Sequence, residues 1–275
     1  MRYATELGGR VRTAGVSIVK VTLVPSAVGE TGEEQRQFLT SYIINDRVAI
    51  DAGCLGFFGT PQEQAAIKHV FISHSHIDHV ASLPVFVENV YEGKCECVNI
   101  YASEPVLAAL RTDLFNERIW PDFIALSQKT DKPFLKVHTL EPGKPIELEG
   151  LRITGIPVHH VVPTLGFIVD DGKSAIAISS DTGPTDALWQ RANTQPNLQA
   201  VFLEVTFPDQ LASLAQLSAH LTPQSFGKEI GKLQRVVPVM AVHIKARYRA
   251  QVIAELQALG LANIQIAKFG TPYVI

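Results

Sequence analysis

An α+β fold is predicted for this chain, and three observations predict it. Runs rich in β-branched residues alternate with helix-like stretches over the whole length. Strands crowd the early part of the chain, which argues against a simple doubly wound sheet. No linker, repeat or shift of composition divides the 275 residues, so residues 1–275 are expected to form a single domain.

The elements follow in order. Residues 16–24 (VSIVKVTLV) and 41–50 (SYIINDRVAI) have the composition of strands, the second carrying a turn signal at Asn45-Asp46. Polar residues 29–37 between them are expected to be a loop. Pro61 opens a short helix to residue 68, since proline is tolerated at a first helical position. Residues 70–72 make a short apolar strand, and 80–91 are apolar on too many faces for a surface helix, so this helix is expected to be partly buried. Ser103, a good N-cap, starts a helix to about residue 116. Strands are expected at 134–140, 151–158, 166–169, 175–179 and 200–203. Helices at 222–233 and 246–259 are each followed by a short strand, at 237–242 and 264–267.

Composition excludes several classes. Apolar residues make up 46% and charged residues 19%, with 19 Gly and 16 Pro, which is ordinary for a globular protein and unlike a disordered or collagen-like one. The formal net charge of −3 gives no electrostatic case for nucleic acid. No apolar run is long enough to span a membrane, and the first twenty residues hold no signal-peptide core. Three cysteines, Cys54, Cys95 and Cys97, are too few and odd for a disulfide framework, so a reducing, cytoplasmic setting is expected. Cys95-Glu96-Cys97 lacks the second cluster that would make it a metal site.

Histidine carries the chemistry. Three of nine histidines fall in Ser73-His74-Ser75-His76-Ile77-Asp78-His79, between a strand and a helix. In an extended segment residues two apart point the same way, so His74 and His76 can grip one ion. Asp78 and His79 lie past the turn and can grip a second. Imidazole with carboxylate suits zinc, manganese or iron. Six residues cannot complete two metal sites, and ligand-type side chains recur just after three other apolar runs, at His159-His160, Asp181 and His243.

The pattern H-x-H-x-D-H resembles that of the metallo-β-lactamase fold superfamily, with similarity from Ile50-Asp51-Ala52-Gly53 to His243. The resemblance implies a four-layer αβ/βα sandwich with a two-metal site at one rim of its two sheets. Carried over by motif, His74, His76 and His160 hold the first ion. Asp78, His79 and His243 hold the second, and Asp181 bridges. Asp51 takes a position that is structural rather than ligating. His160 is preferred to His159 because Gly166-Phe167 lies six residues after it, as the family pattern requires. His159 is left as a substrate-facing candidate, and His69 and His138 are expected to be structural.

Within the superfamily, the lactamase branch lacks a bridging aspartate, so two phosphodiesterase branches remain: tRNase Z and the class II cyclic-nucleotide phosphodiesterases. The latter are resembled by Ile119-Trp120-Pro121, by Leu203-Glu204-Val205-Thr206-Phe207-Pro208, by Ala219-His220-Leu221-Thr222-Pro223, and by Val242-His243-Ile244-Lys245, with Ala246 where they have proline. Arg247-Tyr248 resembles tRNase Z instead. That branch commonly inserts a long arm between the His160 and Asp181 positions, whereas 21 positions separate them here.

The resemblance therefore implies two divalent ions, most simply Zn2+ with Mn2+ or Fe as alternatives, and a small-molecule phosphodiester as substrate. A hydroxide shared by the ions would open a 3′,5′-cyclic nucleotide (cAMP or cGMP) to its 5′-monophosphate. Asp78, His220 and Glu204 are the expected catalytic residues, His220 giving a proton to the leaving oxygen and Glu204 orienting it. His159 and Lys245 are the expected substrate contacts. Trp120, Phe123 and Phe207 can stack on a base or pack in the core. The alternatives are a tRNase Z-like or other phosphodiesterase, a lactonase or arylsulfatase on the same centre, and a non-enzymatic nucleotide sensor. A homodimer stays open as a further partner.

Overall fold

A computed structural model describes residues 19–27 and 35–275. Its architecture is two seven-stranded mixed sheets packed face to face, with helices on both outer faces. The first sheet runs β14-β1-β2-β3-β4-β5-β6. Its strands are β1 (Lys20–Leu23), β2 (Tyr42–Ile44), β3 (Val48–Ile50), β4 (His69–Phe71), β5 (Val98–Ala102), β6 (Leu135–Thr139) and β14 (Tyr273–Val274). Pairings from β14 to β3 are antiparallel and those from β3 to β6 parallel.

The second sheet mirrors this division, in the order β13-β12-β11-β10-β9-β8-β7. Strands β7 (Pro145–Leu148), β8 (Leu151–Val158), β9 (Thr164–Asp170) and β10 (Ala175–Ile178) are antiparallel neighbours. Strands β10, β11 (Leu198–Glu204), β12 (Val239–Val242) and β13 (Ile264–Ile266) are parallel neighbours. The alternation of the sequence now has its meaning. Ile44, Ile50 and Phe71 from one sheet interdigitate with Phe167, Ile178 and Phe202 from the other. Intervening residues such as Ile43, Val70 and Ala177, Val201 face outward to the helices. Burial on both faces explains why β10 and β12 are continuously apolar.

One outer layer holds α1 (Pro61–Gln64), α2 (Ile77–Val80), α3 (Leu83–Asn89), α4 (Glu104–Ala109) and α5 (Phe123–Ser127). The other holds α6 (Ala187–Asn193), α7 (Ala212–Ser218), α8 (Pro223–Ile230) and α9 (Arg249–Ala258). No helix among the described residues is long and apolar enough to cross a membrane.

Several local expectations are corrected. Residues 41–50 are not one strand but the hairpin β2–β3. Asn45 and Asp46 both take positive φ (49° and 57°) at the centre of a tight turn in which the Arg47 N–H bonds the Ile44 carbonyl at 3.1 Å, leaving a three-residue loop between the paired Ile44 and Val48. The helix expected at 61–68 stops at Gln64. The helix expected at 80–91 is two, α2 and α3, separated at Ser82, whose backbone N–H and hydroxyl both bond the Ala52 carbonyl. The helix after Ser103 passes into a π turn at Leu110–Leu114, and the Ser103 hydroxyl makes no cap bond. Of the first expected strand only 20–23 is extended, and residues 16–18 and 29–34 lie outside the described residues. Strands β5, β7 and β14 and helices α5, α6 and α7 were not expected.

Candidate metal centre

The site forms where strands of both sheets end in the same direction, at their carboxyl ends, the usual place for ligands in parallel sheets. His74 and His76 follow β4, His160 follows β8, Asp181 follows β10 and His243 follows β12. Asp78 and His79 lie in the first turn of α2. That turn is clamped by the segments flanking the β2–β3 hairpin: after β3 the Ala52 N–H bonds the His79 carbonyl at 2.8 Å, and before β2 the Thr40 N–H bonds the Asp78 carbonyl at 2.8 Å. Gly53 is required there, since a Cβ would come within 2.0 Å of the Asp78 carbonyl oxygen. The chain turns sharply at four residues around the site that take the left-handed conformation without being glycine: Asp51 (φ 61°), Ser180 (53°), Ala219 (51°) and His243 (60°).

Two groups of donors result, each with its ligand atoms within 4.8 Å of one another: His74, His76, His160 and Asp181, and Asp78, His79, Asp181 and His243. Asp181, 2% exposed, belongs to both. Its Oδ1 lies 3.2 Å from His79 Nε2 and 3.4 Å from His243 Nε2, and its Oδ2 lies 3.7 Å from His74 Nε2. His160 Nε2 and His76 Nδ1 face each other at 3.2 Å. His243 Nε2 and Asp78 Oδ2 are 3.3 Å apart. The structure thus brings together all seven side chains singled out as ligands.

The proton arrangement tests whether these residues fit metal ions. Asp51 accepts from the Ser73 N–H (2.7 Å), from the Ser73 hydroxyl (2.8 Å) and from His79 Nδ1 (2.7 Å). With its own proton given to Asp51, Ser73 Oγ accepts from His74 Nδ1 at 2.9 Å. His160 Nδ1 donates to the Ala219 carbonyl at 3.0 Å. In His74, His79 and His160 the outward Nδ1 is a donor, so in the neutral ring the inward Nε2 presents a lone pair to a carboxylate or another imidazole; His76 turns Nδ1 inward instead. The buried Nε2 atoms of His74 and His79 have no hydrogen-bond partner. Lone pairs converging on carboxylates in a buried place require cations, and the imidazole–carboxylate set fits zinc, manganese or iron. The titration directions divide: without a cation the two carboxylates draw a proton onto His79, a positive charge that a metal ion would supply instead, while His74 stays neutral. Burial works against a charged His79, but the Asp181 and Asp51 carboxylates outweigh it and hold that histidine well above its usual range. Burial, joined by His79, holds His74 well below it.

Beside this cluster stand two further expected residues. His220 Nδ1 lies 2.6 Å from Glu204 Oε1, and Glu204 is fully buried. The His220 ring is 5.0 Å from that of His160 and stacks at 5.6 Å on that of His243. Lys245 Nζ lies 3.7 Å from Asp78 Oδ2, at the edge of the site. His159 is not brought into either group: its side chain is exposed, and its carbonyl instead accepts the Gly183 N–H at 2.7 Å. His69 and His138 flank Tyr101 and join neither donor group, His138 stacking on it at 4.6 Å. Phe123 is core, stacked on Phe134, and Trp120 packs against the same core. Cys54 is buried, Cys95 exposed, and neither Cys95 nor Cys97 joins a group of metal-type donors among the described residues.

A groove of about 450 Å³ opens from the second group, lined among others by Phe38, Asp78, Phe207, His243, Lys245 and Tyr248. A slightly larger hollow beside Gly150 and Gly172 holds no histidine and lies among exposed turns. Residues that sequence reasoning did not single out matter here. Tyr248 forms a wall of the groove with the Arg247 guanidinium over its ring. The Ala219 carbonyl aims His160, the Gln37 side chain accepts the His243 N–H at 2.7 Å, and Thr206 touches three site residues. None carries a spacing signal; Thr206, Ala219 and Arg247-Tyr248 stand in the sequence only as parts of quoted motifs, and Gln37 in none.

With the site described, known proteins can be set beside it. The beta-lactamase superfamily domain profile matches residues 46–244. A protein of Yersinia pestis named "Probable 3',5'-cyclic-nucleotide phosphodiesterase" is 28% identical over 221 residues, covering 70% of this chain and 63% of that protein. A "3',5'-cyclic-nucleotide phosphodiesterase" of Aliivibrio fischeri is 26% identical over 183 residues, covering 61% of this chain and 54% of that protein. The chain thus aligns with somewhat over half the length of these relatives. The crystal structure of unliganded yeast PDE1 superposes with a TM-score of 0.75 at 18% identity, over 93% of this chain and 99% of that one. A shorter stretch, 37% of this chain and 31% of the relative, is 29% identical to "Ribonuclease Z" of Methanococcus maripaludis. The fold is the metallo-β-lactamase fold, and the chain belongs to the beta-lactamase superfamily domain family.

Proposed function

We propose that this protein is a metal-dependent phosphodiesterase acting on 3′,5′-cyclic nucleotides. One observation carries the reading: a buried carboxylate is shared by two adjoining donor groups, and a histidine of each group, His160 and His243, has its ring 5.0 and 5.6 Å from that of His220 in a histidine–glutamate pair. Two divalent ions in those groups, zinc or else manganese or iron, would acidify water and draw charge from phosphate oxygens. His74, His76 and His160 would hold one ion, Asp78, His79 and His243 the other, and Asp181 both. With Nδ1 committed to Glu204, His220 has Nε2 free to pass a proton to the leaving oxygen, help worth about 10²–10⁴-fold. Phe207 and Tyr248 present aromatic surface for a base, and Lys245 a cation for phosphate. The names of the Yersinia and Aliivibrio relatives favour the same substrate class.

A ribonuclease Z-like activity is the second reading, favoured by relatives of that name. Against it, β9 and β10 with their turn fill most of the interval between His160 and Asp181, and the chain is net acidic. The test is a panel on metal-loaded protein: cAMP, cGMP, bis-p-nitrophenyl phosphate, a lactone and a precursor tRNA. Turnover of a cyclic nucleotide to its 5′-monophosphate is expected. Exclusive turnover of the lactone or the tRNA, or nucleotide binding without turnover of any diester, would overturn the proposal.

A further inference from the structure

Glu204 has a second duty that its pairing with His220 does not reveal. Its carboxylate receives four donors. Oε1 accepts from the Thr182 N–H at 3.0 Å and from His220 Nδ1 at 2.6 Å. Oε2 accepts from the Thr206 hydroxyl at 2.9 Å and from the Leu221 N–H at 3.2 Å. Those four donors fill the lone-pair positions of an ionised carboxylate.

Thr206 is itself fully buried, and its Oγ1 lies 3.0 Å from Nδ1 of His243. A hydroxyl has one proton. Its acceptors here are the Glu204 carboxylate at 2.9 Å and, more distantly, the His243 carbonyl at 3.4 Å. The carboxylate, nearer than the carbonyl and charged where a ring nitrogen is neutral, takes that proton, so Thr206 accepts from His243 Nδ1. The neutral His243 ring then carries its proton on Nδ1 and turns a bare Nε2 toward Asp78 and Asp181, 3.3 and 3.4 Å away, the form a metal ion would take up. The ring has little else to hold it in this sense. Its backbone is left-handed, at φ 60°, and its other side is the stacked ring of His220.

We propose that Thr206 is a positioning residue that relays the Glu204 carboxylate to His243. One buried acid thereby sets two histidines: His220 directly and, through a hydroxyl, the His243 donor of the second group. His74, His79 and His160 are oriented by other partners, Ser73, Asp51 and the Ala219 carbonyl, so only one of the two donor groups depends on this relay. The inference goes beyond the proposed activity, because it concerns metal affinity whatever the substrate.

The test is a calorimetric titration of metal-stripped protein with Zn2+, with Mn2+ as a second probe, on wild type and on Thr206→Val, Thr206→Ser and Glu204→Gln. Thr206→Val is expected to weaken the second binding event by about 10–100-fold and to spare the first. Thr206→Ser, which keeps the hydroxyl, is expected to restore it. A companion measurement compares turnover of a diester with an alkoxide leaving group against bis-p-nitrophenyl phosphate. Thr206→Val should leave that ratio near wild type, since Glu204 still holds His220, whereas Glu204→Gln should change both the ratio and the second metal event. Two metal events of wild-type strength in Thr206→Val, or failure of Thr206→Ser to restore them, overturns the relay. An unchanged second event in Glu204→Gln overturns the role given to Glu204. Loss of all diester turnover in wild type would sink the phosphodiesterase reading and leave the titration free to decide this one.

Discussion

Replacing Asp51 by Asn is the sharpest perturbation of the site that leaves every candidate ligand in place. Asparagine is nearly the same shape and tolerates the left-handed backbone found there, at φ 61°, so the chain path is preserved. What changes is the Oδ2 position. It accepts from His79 Nδ1 at 2.7 Å and from the Ser73 hydroxyl at 2.8 Å, while Oδ1 accepts the Ser73 N–H. An amide in the better orientation keeps Oδ1 and sets an NH2 against two donors. Loss of the charge-assisted bond costs about 1.5–3 kcal/mol and of the hydroxyl bond about 1 kcal/mol. A total of about 3 kcal/mol corresponds to a fall in Tm of about 6–12 °C for a chain of this size. Released from its acceptor, His79 no longer has its proton fixed on Nδ1, and the second metal event should weaken by about 10–100-fold. Thermal melts of metal-stripped protein and calorimetric metal titration measure the two effects. A metal-free variant melting within about 2 °C of wild type, with both metal events intact, would refute the claim that Asp51 orients His79.

Other expectations are more direct. Asp181→Asn should lose both ions together, because one carboxylate serves both groups; elemental analysis showing one ion per chain would limit its role to a single group. His220→Ala should keep both ions and lose about 10²–10⁴-fold in kcat on a cyclic nucleotide, with far less loss on bis-p-nitrophenyl phosphate, whose leaving group needs no proton; equal losses would remove the donor role. The thiols should separate by reactivity. Burial pushes the Cys54 thiol up to about 11, and the residue is 2% exposed, so at about pH 8 a disulfide reagent should titrate Cys95 first, the half-buried Cys97 more slowly, and Cys54 only on unfolding. Rising pH speeds Cys54 only as it nears that raised value.

What could be foreseen divides along physical lines. The histidine run was legible because metal ligation needs particular side chains at particular spacings, and nothing in packing needs them. The strand ends at His160, Asp181 and His243 were legible because each lies within three residues of the end of a strand-like, largely apolar run. The hairpin at Asn45-Asp46 was visible as a turn, yet the flanking residues 41–50 look like one strand, since three-residue strands leave too short a pattern to separate. Strand β14 is two residues long and exists only by pairing with β1 from the far end of the chain. β7 begins with proline at a sheet edge, where sequence preference argues against a strand and position permits one. Helices α6 and α7 are seven residues each, shorter than a periodicity can establish. Thr206 was unreadable for a different reason. A hydroxyl between three site side chains has no signature until the strand ends are brought together.

The four non-glycine residues wound to the left at Asp51, Ser180, Ala219 and His243 bear on how long the protein survives. Each such joint disfavours the folded chain by about 1–2 kcal/mol, and together they rival the few kcal/mol by which domains outlast their unfolded forms. Crowded lone pairs beside them add to the burden until cations arrive. Ions bound in the two donor groups would therefore also raise resistance to unfolding, by an amount that grows with free metal concentration.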